Sequence, residues 1–93
     1  MDHVLIVHAV KDFPIWKQVL DEAAGIRKEA GEQSYHLLHD EFDRSRVAHF
    51  SRWTSLAQAK AFFEADRLVE IRRLAGVDAP EFNYLHNMEQ GTL

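Results

Sequence analysis

The chain has 93 residues, of which 46% are hydrophobic and 28% charged, and its formal net charge is −4 at pH 7. This length predicts a single domain over residues 1–93 that buries only about 60–65% of its unfolded surface. The acidic balance argues against nucleic acid and anionic membranes as partners. The sequence contains no cysteine, no apolar run near the roughly 18 residues of a membrane span and no secretory signal. These features favour a cytoplasmic protein without thiol chemistry.

The N-terminal third predicts a strand followed by a helix. The strand covers about Val4 to Val10, and its four consecutive apolar residues lie on both faces of a sheet, so both faces must be covered. Asp12 is placed to cap the helix, and Pro14 lies near its first position. Gly31 is placed to end it.

Two further strands follow the helix. They run from about Ser34 to His39 and from about Arg46 to Trp53, separated by a polar loop. A loop of this length is ordinary for a hairpin, so the two strands are expected to pair antiparallel.

The C-terminal part predicts a second helical region and a last strand. Ser55 opens the region with a capping-box pattern, a break is expected near Asp66, which is placed to cap a further short helix, and Gly76 ends it. Pro80 precedes a strand of alternating character from about Glu81 to Met88.

This order of elements predicts an α+β, ferredoxin-like fold with a split βαββαβ pattern. Its four-stranded antiparallel sheet carries the helices on one face. The third strand is expected to lie between the first and the second. The other face would expose several apolar side chains, which soluble monomers rarely tolerate. We therefore expect a homodimer in which two sheets pair face to face and enclose a barrel-like interior.

Residues along nearly the whole chain carry a resemblance to a known superfamily. The chain resembles the dimeric α/β-barrel superfamily, and within it the small proteins that are antibiotic-biosynthesis-monooxygenase-like or cyclase-like. The residues that carry the likeness are Asp12-Phe13-Pro14-Ile15-Trp16-Lys17, Arg27, Gly31, Trp53, Ala59-Lys60-Ala61-Phe62 and Leu74-Ala75-Gly76-Val77 before Pro80. They belong to the scaffold, so they predict the fold more sharply than the chemistry.

The resemblance implies a range of activities rather than one. The superfamily includes cofactor-independent oxygenases that act on polyketide quinols, isomerases, haem-degrading monooxygenases and stress-responsive or ligand-binding modules. Haem-degrading relatives are similar in using an asparagine on the first strand, a tryptophan on the third and a histidine on the second helical region. Here Trp53 matches, but His8 occupies the first-strand site and residues 56–75 contain no histidine. Haem degradation is therefore disfavoured.

Histidines provide the candidate chemistry, because all of them fall in predicted strands. They are His3, His8, His36, His39, His49 and His86. His8, His36 and His49 are expected to converge on one face and are the candidate catalytic residues. One of them would act as general base toward a phenol-like or enol substrate. Alternatively, three imidazoles could hold zinc, or the histidines could be hydrogen-bonded wall residues.

The candidate substrate-binding residues are Ser51, Trp53 and Tyr84. Ser51 and Tyr84 could orient substrate oxygens, and the aromatic residues could form pocket walls or pack at a dimer interface. The sequence thus predicts a homodimer that binds an apolar or aromatic small molecule, with neither metal nor cofactor assigned. It is expected to be a cofactor-free monooxygenase-like or cyclase-like enzyme, or alternatively a non-catalytic stress-responsive or ligand-binding module.

Overall fold

The computed structural model describes residues 2–93, apart from the side chains of residues 78 and 79. The elements are β1 (Asp2–Val10), α1 (Phe13–Glu22), α2 (Ala24–Ala30), β2 (Glu32–His39), β3 (Arg46–Trp53), α3 (Leu56–Phe63), α4 (Asp66–Leu74) and β4 (Val77–His86). The strands form one sheet in the order β2-β3-β1-β4, with antiparallel neighbours throughout. The predicted α+β ferredoxin-like fold is confirmed, and every histidine lies in a strand.

Helix ends follow the capping residues that the sequence predicts. A side-chain oxygen of Asp12 accepts the backbone N–H of the residue three positions later at 3.2 Å, and Ser55 does the same for α3 at 3.1 Å. Gly31 and Gly76 follow α2 and α4 with φ of 124° and 74°, a backbone region that glycine adopts without a steric penalty.

The helices are shorter than the patterns suggest. The first predicted helix is divided at Ala23 into α1 and α2, and Gly25, a poor helix former, lies in the first turn after the break. Asp66 does not cap α4, because Ala65 occupies the cap position and Asp66 lies in the first turn. The longest helix has 10 residues, and none within residues 2–93 is long and apolar enough to cross a membrane.

The last strand also differs from its prediction. It begins at Val77, before Pro80, and ends at His86 rather than Met88. A proline within the strand is tolerated because β4 is an edge strand. The register between β1 and β4 also shifts close by, between the partners of Val7 and Ala9.

Cross-strand pairing fixes which side chains share a face. Val4 pairs with Ser51 and Ile6 with His49, so these inward-facing residues lie on one face, under the helices. That face carries two buried clusters. The Trp53 cluster consists of Val4, Ile6, Trp53, Leu56, Ala59, Phe62, Phe63 and Leu68. The Trp16 cluster consists of Val10, Trp16, Val47 and Ala75.

The other face of the sheet, here called the open face, carries apolar side chains that are only partly covered. Leu5, Val7 and Phe50 are half-buried there, and Leu38 remains 52% exposed. The ring of His3 stacks on Phe50 with centroids 5.1 Å apart. The predicted bare and apolar face is therefore present in the structure.

Candidate functional site

A cavity of about 70 Å³ lies between the helices and the sheet, and members of both the Trp53 cluster and the Trp16 cluster line it. Four of its lining side chains are polar: His8, Arg27, His49 and Arg72. The others are apolar: Ile6, Trp16, Val19, Leu20, Ala23, Phe62, Phe63, Leu68, Ile71, Ala75 and Val77. An apolar hollow with a few polar groups is typical of a small-molecule site.

His8 presents an unpaired imidazole to this cavity. Its side chain is buried, and its ring meets the edge of Trp16 with centroids 5.2 Å apart. Neither ring nitrogen has a hydrogen-bond partner. Burial, with the electrostatic effects of His49 and Arg72 acting in the same direction, lowers the pKa of His8 to about 4. The ring is therefore neutral at physiological pH, with a donor and an acceptor available to a ligand.

His49 belongs to a group of buried polar side chains, here called the buried triad, formed by Arg27, Glu32 and His49. His49 Nε2 lies 3.3 Å from Glu32 Oε1, and Arg27 Nε lies 3.1 Å from Glu32 Oε2. All three residues are at most 7% exposed. The distances are those of ion pairs, but His49 Nε2, Glu32 Oε1 and Arg27 Nε lack hydrogen-bond geometry. The triad is thus buried and incompletely bonded.

Tyr35 covers the outer side of this triad. The Arg27 guanidinium lies 4.9 Å from the centre of the Tyr35 ring, and the His49 ring meets it at 5.6 Å. Arg27 and Glu32 also border an open surface groove, which lies on the outer side of Tyr35. The triad therefore lies between the inner cavity and this groove.

Arg72 brings a second cation to the cavity. Its guanidinium lies 5.0 Å from the centre of the Phe82 ring, and its Nη1 is buried without a hydrogen-bond partner. Burial lowers the pKa of Arg72 from its usual value, and the nearby Tyr84 acts in the opposite direction. An arginine remains charged under any physiological condition, so a ligand anion in the cavity would gain a nearby positive charge.

His36 does not join His8 and His49, so the predicted convergence of three histidines is wrong. In the pairing of β2 with β3, His36 lies opposite Phe50 whereas Leu37 lies opposite His49. His36 is therefore exposed on the open face. Alternation within each strand is as expected, but the register between strands sets which faces coincide.

This placement also affects the metal alternative. Without His36, a three-histidine zinc site lacks its third ligand. No group of three or more His, Asp or Glu side chains among the described residues is arranged to hold a metal ion.

The predicted substrate contacts do not line the cavity. Ser51 Oγ accepts the indole N–H of Trp53 at 2.8 Å and donates to the carbonyl of Val4 at 3.4 Å, so both side chains are engaged within the core. Tyr84 is half-buried, with the Lys60 ammonium 5.3 Å from its ring centre. Burial raises the pKa of Tyr84, and the charge of Glu64 adds to this, opposed by Arg72. Their role in substrate binding stays a prediction that this geometry does not favour.

Sequence reasoning also missed residues that the cavity uses. Arg72 follows Leu68 by four residues and precedes Ala75 by three, so it lies on the inward-facing side of α4. This helical spacing could have predicted its position from the sequence. Glu32 had no comparable local signal. Its position opposite Trp53 depends on the pairing of β2 with β3 and on the register shift between Glu32 and Ser34.

Comparisons with known proteins support the fold. No protein-family model and no curated protein matches this chain. A candidate antibiotic biosynthesis monooxygenase from Deinococcus radiodurans superimposes with a TM-score of 0.75 at 11% identity, covering 100% of this chain and 98% of that one. SnoaB, a cofactor-independent oxygenase from Streptomyces nogalater, gives 0.76 at 11% identity, with coverage of 96% and 94%.

A candidate antibiotic biosynthesis monooxygenase from Caulobacter crescentus gives a TM-score of 0.72 at 18% identity, with coverage of 95% of this chain and 90% of that one. The expected likeness to the antibiotic-biosynthesis-monooxygenase-like fold is therefore confirmed. At such identities the likeness carries the fold and leaves the activity to be argued from the site.

Proposed function

We propose that this chain is a cofactor-independent enzyme of the monooxygenase-like or cyclase/isomerase-like kind, acting on an aromatic or polyketide-like small molecule. The observation that carries the proposal is the neutral imidazole of His8, whose two unpaired ring nitrogens face an apolar cavity. A buried polar group without a hydrogen-bond partner lowers the stability of the folded protein. A ligand with a hydroxyl or enol group would supply the missing partner.

The chemistry begins with loss of a proton from the ligand. Transfer from a ligand O–H to an imidazole nitrogen leaves an electron-rich anion in a low-dielectric site, where Arg72 lies close enough to stabilise it. In an oxygenase this anion reacts with O₂, and in a cyclase or isomerase it rearranges. No step requires a metal or an organic cofactor.

The volume of the cavity limits the ligand. An engineered cavity that binds benzene measures about 150 Å³, roughly twice the 70 Å³ observed here. A ring-containing substrate therefore requires a wall to move. The walls formed by α1 and α4 are weakly anchored, because each helix buries a single side chain, Trp16 and Leu68 respectively.

The same proposal includes a homodimer formed through the open face. Leu38 and Leu85 are 52% and 41% exposed there, beside half-buried Phe50. A second copy would remove this apolar surface from water. Sedimentation equilibrium tests this part: a dimer that Leu38→Lys converts to a folded monomer is expected, and a wild-type monomer would contradict it.

Oxygen uptake with a bicyclic hydroquinone, 1,4-dihydroxynaphthalene, tests the catalytic part. His8→Gln and His49→Gln are expected to lower turnover by about 100-fold or more, the range typical of a lost general acid or base. His39→Gln is the matched control, because His39 is exposed, does not line the cavity, and has a ring nitrogen 2.9 Å from the carbonyl oxygen of Asp40. Equal turnover in all three variants would rule out the cavity histidines.

The small cavity also favours a second candidate, a non-catalytic ligand-binding or stress-responsive module. The two functions separate when binding and turnover are measured together. Ala23→Leu adds bulk to the cavity wall and is expected to abolish both binding and turnover in the enzyme. The module is favoured if the wild-type protein binds the hydroquinone without enzyme-dependent oxygen uptake or product, and if Ala23→Leu abolishes that binding.

A further inference from the structure

We infer that Glu32 is a positioning residue that makes His49, rather than His8, the proton acceptor of the cavity. The inference rests on the proposed function and assigns different tasks to its two histidines. Glu32 lies behind His49, on the side away from the cavity, and neither the sequence pattern nor the likeness to known structures singles it out.

The geometry is that of a carboxylate backing an imidazole. Glu32 Oε1 lies 3.3 Å from His49 Nε2, and both side chains are at most 4% exposed. Arg27 holds the other carboxylate oxygen at 3.1 Å. A buried carboxylate at this distance stabilises the imidazolium that forms when the ring takes a proton.

The charges around the two histidines differ. His49 and Arg72 both act against a positive charge on the ring of His8 and lower its pKa, as does burial. His49 faces the carboxylate of Glu32 from β2 as well as Arg27 from α2. A proton on His49 is therefore compensated by an adjacent negative charge, whereas a proton on His8 is not.

The charge balance of the transfer is also favourable. Before the transfer, the charges of Arg27 and Glu32 cancel each other, and a histidine that is to accept the proton starts as the neutral imidazole. When the ligand O–H bond breaks and its proton bonds to His49, the electron pair stays on the ligand oxygen as a negative charge. The new imidazolium and the ligand anion then cancel, so the net charge of the buried site is unchanged and no bulk counterion is needed.

His8 is left with the task of orienting the ligand. His8 pairs with Val47 and His49 pairs with Ile6, so the two histidines are diagonal neighbours on adjacent strands. Diagonal neighbours lie about 7–8 Å apart, which leaves room for a ligand oxygen between the two rings. The neutral imidazole of His8 can hold that oxygen, or its neighbour, by a hydrogen bond while His49 takes the proton.

Stability does not explain the triad. Buried ion pairs are often no more stable than apolar replacements of the same volume, and here several of the polar atoms also lack hydrogen-bond geometry. A half-bonded buried network is unfavourable unless it has another use.

The test measures the protonation of His49 by ring-nitrogen NMR over a pH series, in the wild-type protein and in Glu32→Gln. Loss of the carboxylate is expected to lower the titration midpoint of His49 by at least one pH unit, a tenfold loss of proton affinity. Glu32→Asp is expected to restore part of the shift. Because Glu32→Gln leaves Arg27 unpaired and can fail to fold, Arg27→Met/Glu32→Gln, which removes both buried charges, is the second variant.

Turnover gives an independent measurement. In Glu32→Gln the acidic limb of the kcat/KM profile is expected to move to lower pH with the His49 midpoint, and kcat to fall about 100-fold. A folded variant with an unchanged His49 midpoint would overturn the inference, even if His8→Gln and His49→Gln still abolish turnover. If wild type lacks turnover while the midpoint responds to Glu32, the proposed function fails and the pairing of the two residues stands.

Discussion

Two parts of the buried face of the sheet differ in how completely their polar atoms are bonded: the rings around Trp53 and the cavity that His8 lines. In the Trp53 cluster, aromatic rings meet at centroid distances of 5.2 to 5.7 Å, and the polar atoms of Ser51 and Trp53 bond to each other. Members of both clusters line the 70 Å³ cavity, and there both nitrogens of His8 are unpaired. The indole of Trp53 is therefore hydrogen-bonded among packed rings, whereas the imidazole beside the cavity is not.

This difference assigns separate tasks to two parts of one small core. A chain of this size has little surplus stability, so a cavity with buried charge has to be offset by dense packing elsewhere. We expect substitution of Trp53, which does not line the cavity, to affect mainly the free energy of unfolding, and substitution of the polar residues that line the cavity to affect mainly ligand chemistry and pH dependence.

The largest expected effect on stability comes from Trp53→Ala. Trp53 is fully buried, and its truncation leaves a cavity among the packed rings, which costs about 3–5 kcal/mol of unfolding free energy. Urea denaturation measures the loss, with exposed Phe42→Ala as the control. A loss below about 1 kcal/mol would mean that the cluster is not the main source of stability.

The next effect is a pH dependence that His8 imposes. Its pKa is about 4 in the folded protein and near 6.5 when unfolded, so the unfolded state binds the proton first. Stability is full above pH 6.5 and falls by about 3 kcal/mol as the pH drops to 4. Urea titrations at several pH values should show a flatter profile for His8→Leu; parallel profiles would contradict the assignment.

Ser51→Ala should cost less, about 1–3 kcal/mol, because it leaves the buried indole N–H of Trp53 without its acceptor. Thermal unfolding measures the loss, and exposed Ser34→Ala serves as the matched control. Ser51 does not line the cavity, so ligand affinity should be unchanged; a loss of affinity at equal stability would restore its predicted role in substrate binding.

The smallest effects compare two helix caps. Asp12→Ala and Ser55→Ala each remove a side-chain acceptor from a helix start, at a cost of about 1 kcal/mol. Asp12 starts α1, which lines the cavity from its first turns with Trp16, whereas Ser55 starts α3, which reaches the cavity only in its last turn, with Phe62 and Phe63. Calorimetry should show similar stability losses, with ligand affinity lowered only by Asp12→Ala; equal affinity in both variants would argue that α1 does not shape the site.

The sequence was informative where structure depends on local pattern. The caps at Asp12 and Ser55, the stops at Gly31 and Gly76, and the alternation of His8 with its strand neighbours all depend on residues a few positions apart. His36 shows the limit. Its strand face follows from alternation, but whether that face is the covered one depends on how β2 registers against β3, a long-range property.

The candidate site was predictable only in part for the same reason. His8 and His49 were found because a histidine in a strand is noticeable by itself. Glu32 was missed because a carboxylate at the start of a strand is usually exposed, and its burial becomes visible only once Arg27 and His49 are brought against it from α2 and β3.

Pro80 has a consequence for how copies of this chain can meet. It lies in β4, at one edge of the sheet, near the point where the ladder with β1 is irregular. Because proline has no backbone N–H, a strand from another molecule that docked along this edge would find an incomplete set of hydrogen-bond donors. The edge is a poor template for fibre growth, so the chain can keep an apolar sheet surface without extending its sheet from molecule to molecule at β4.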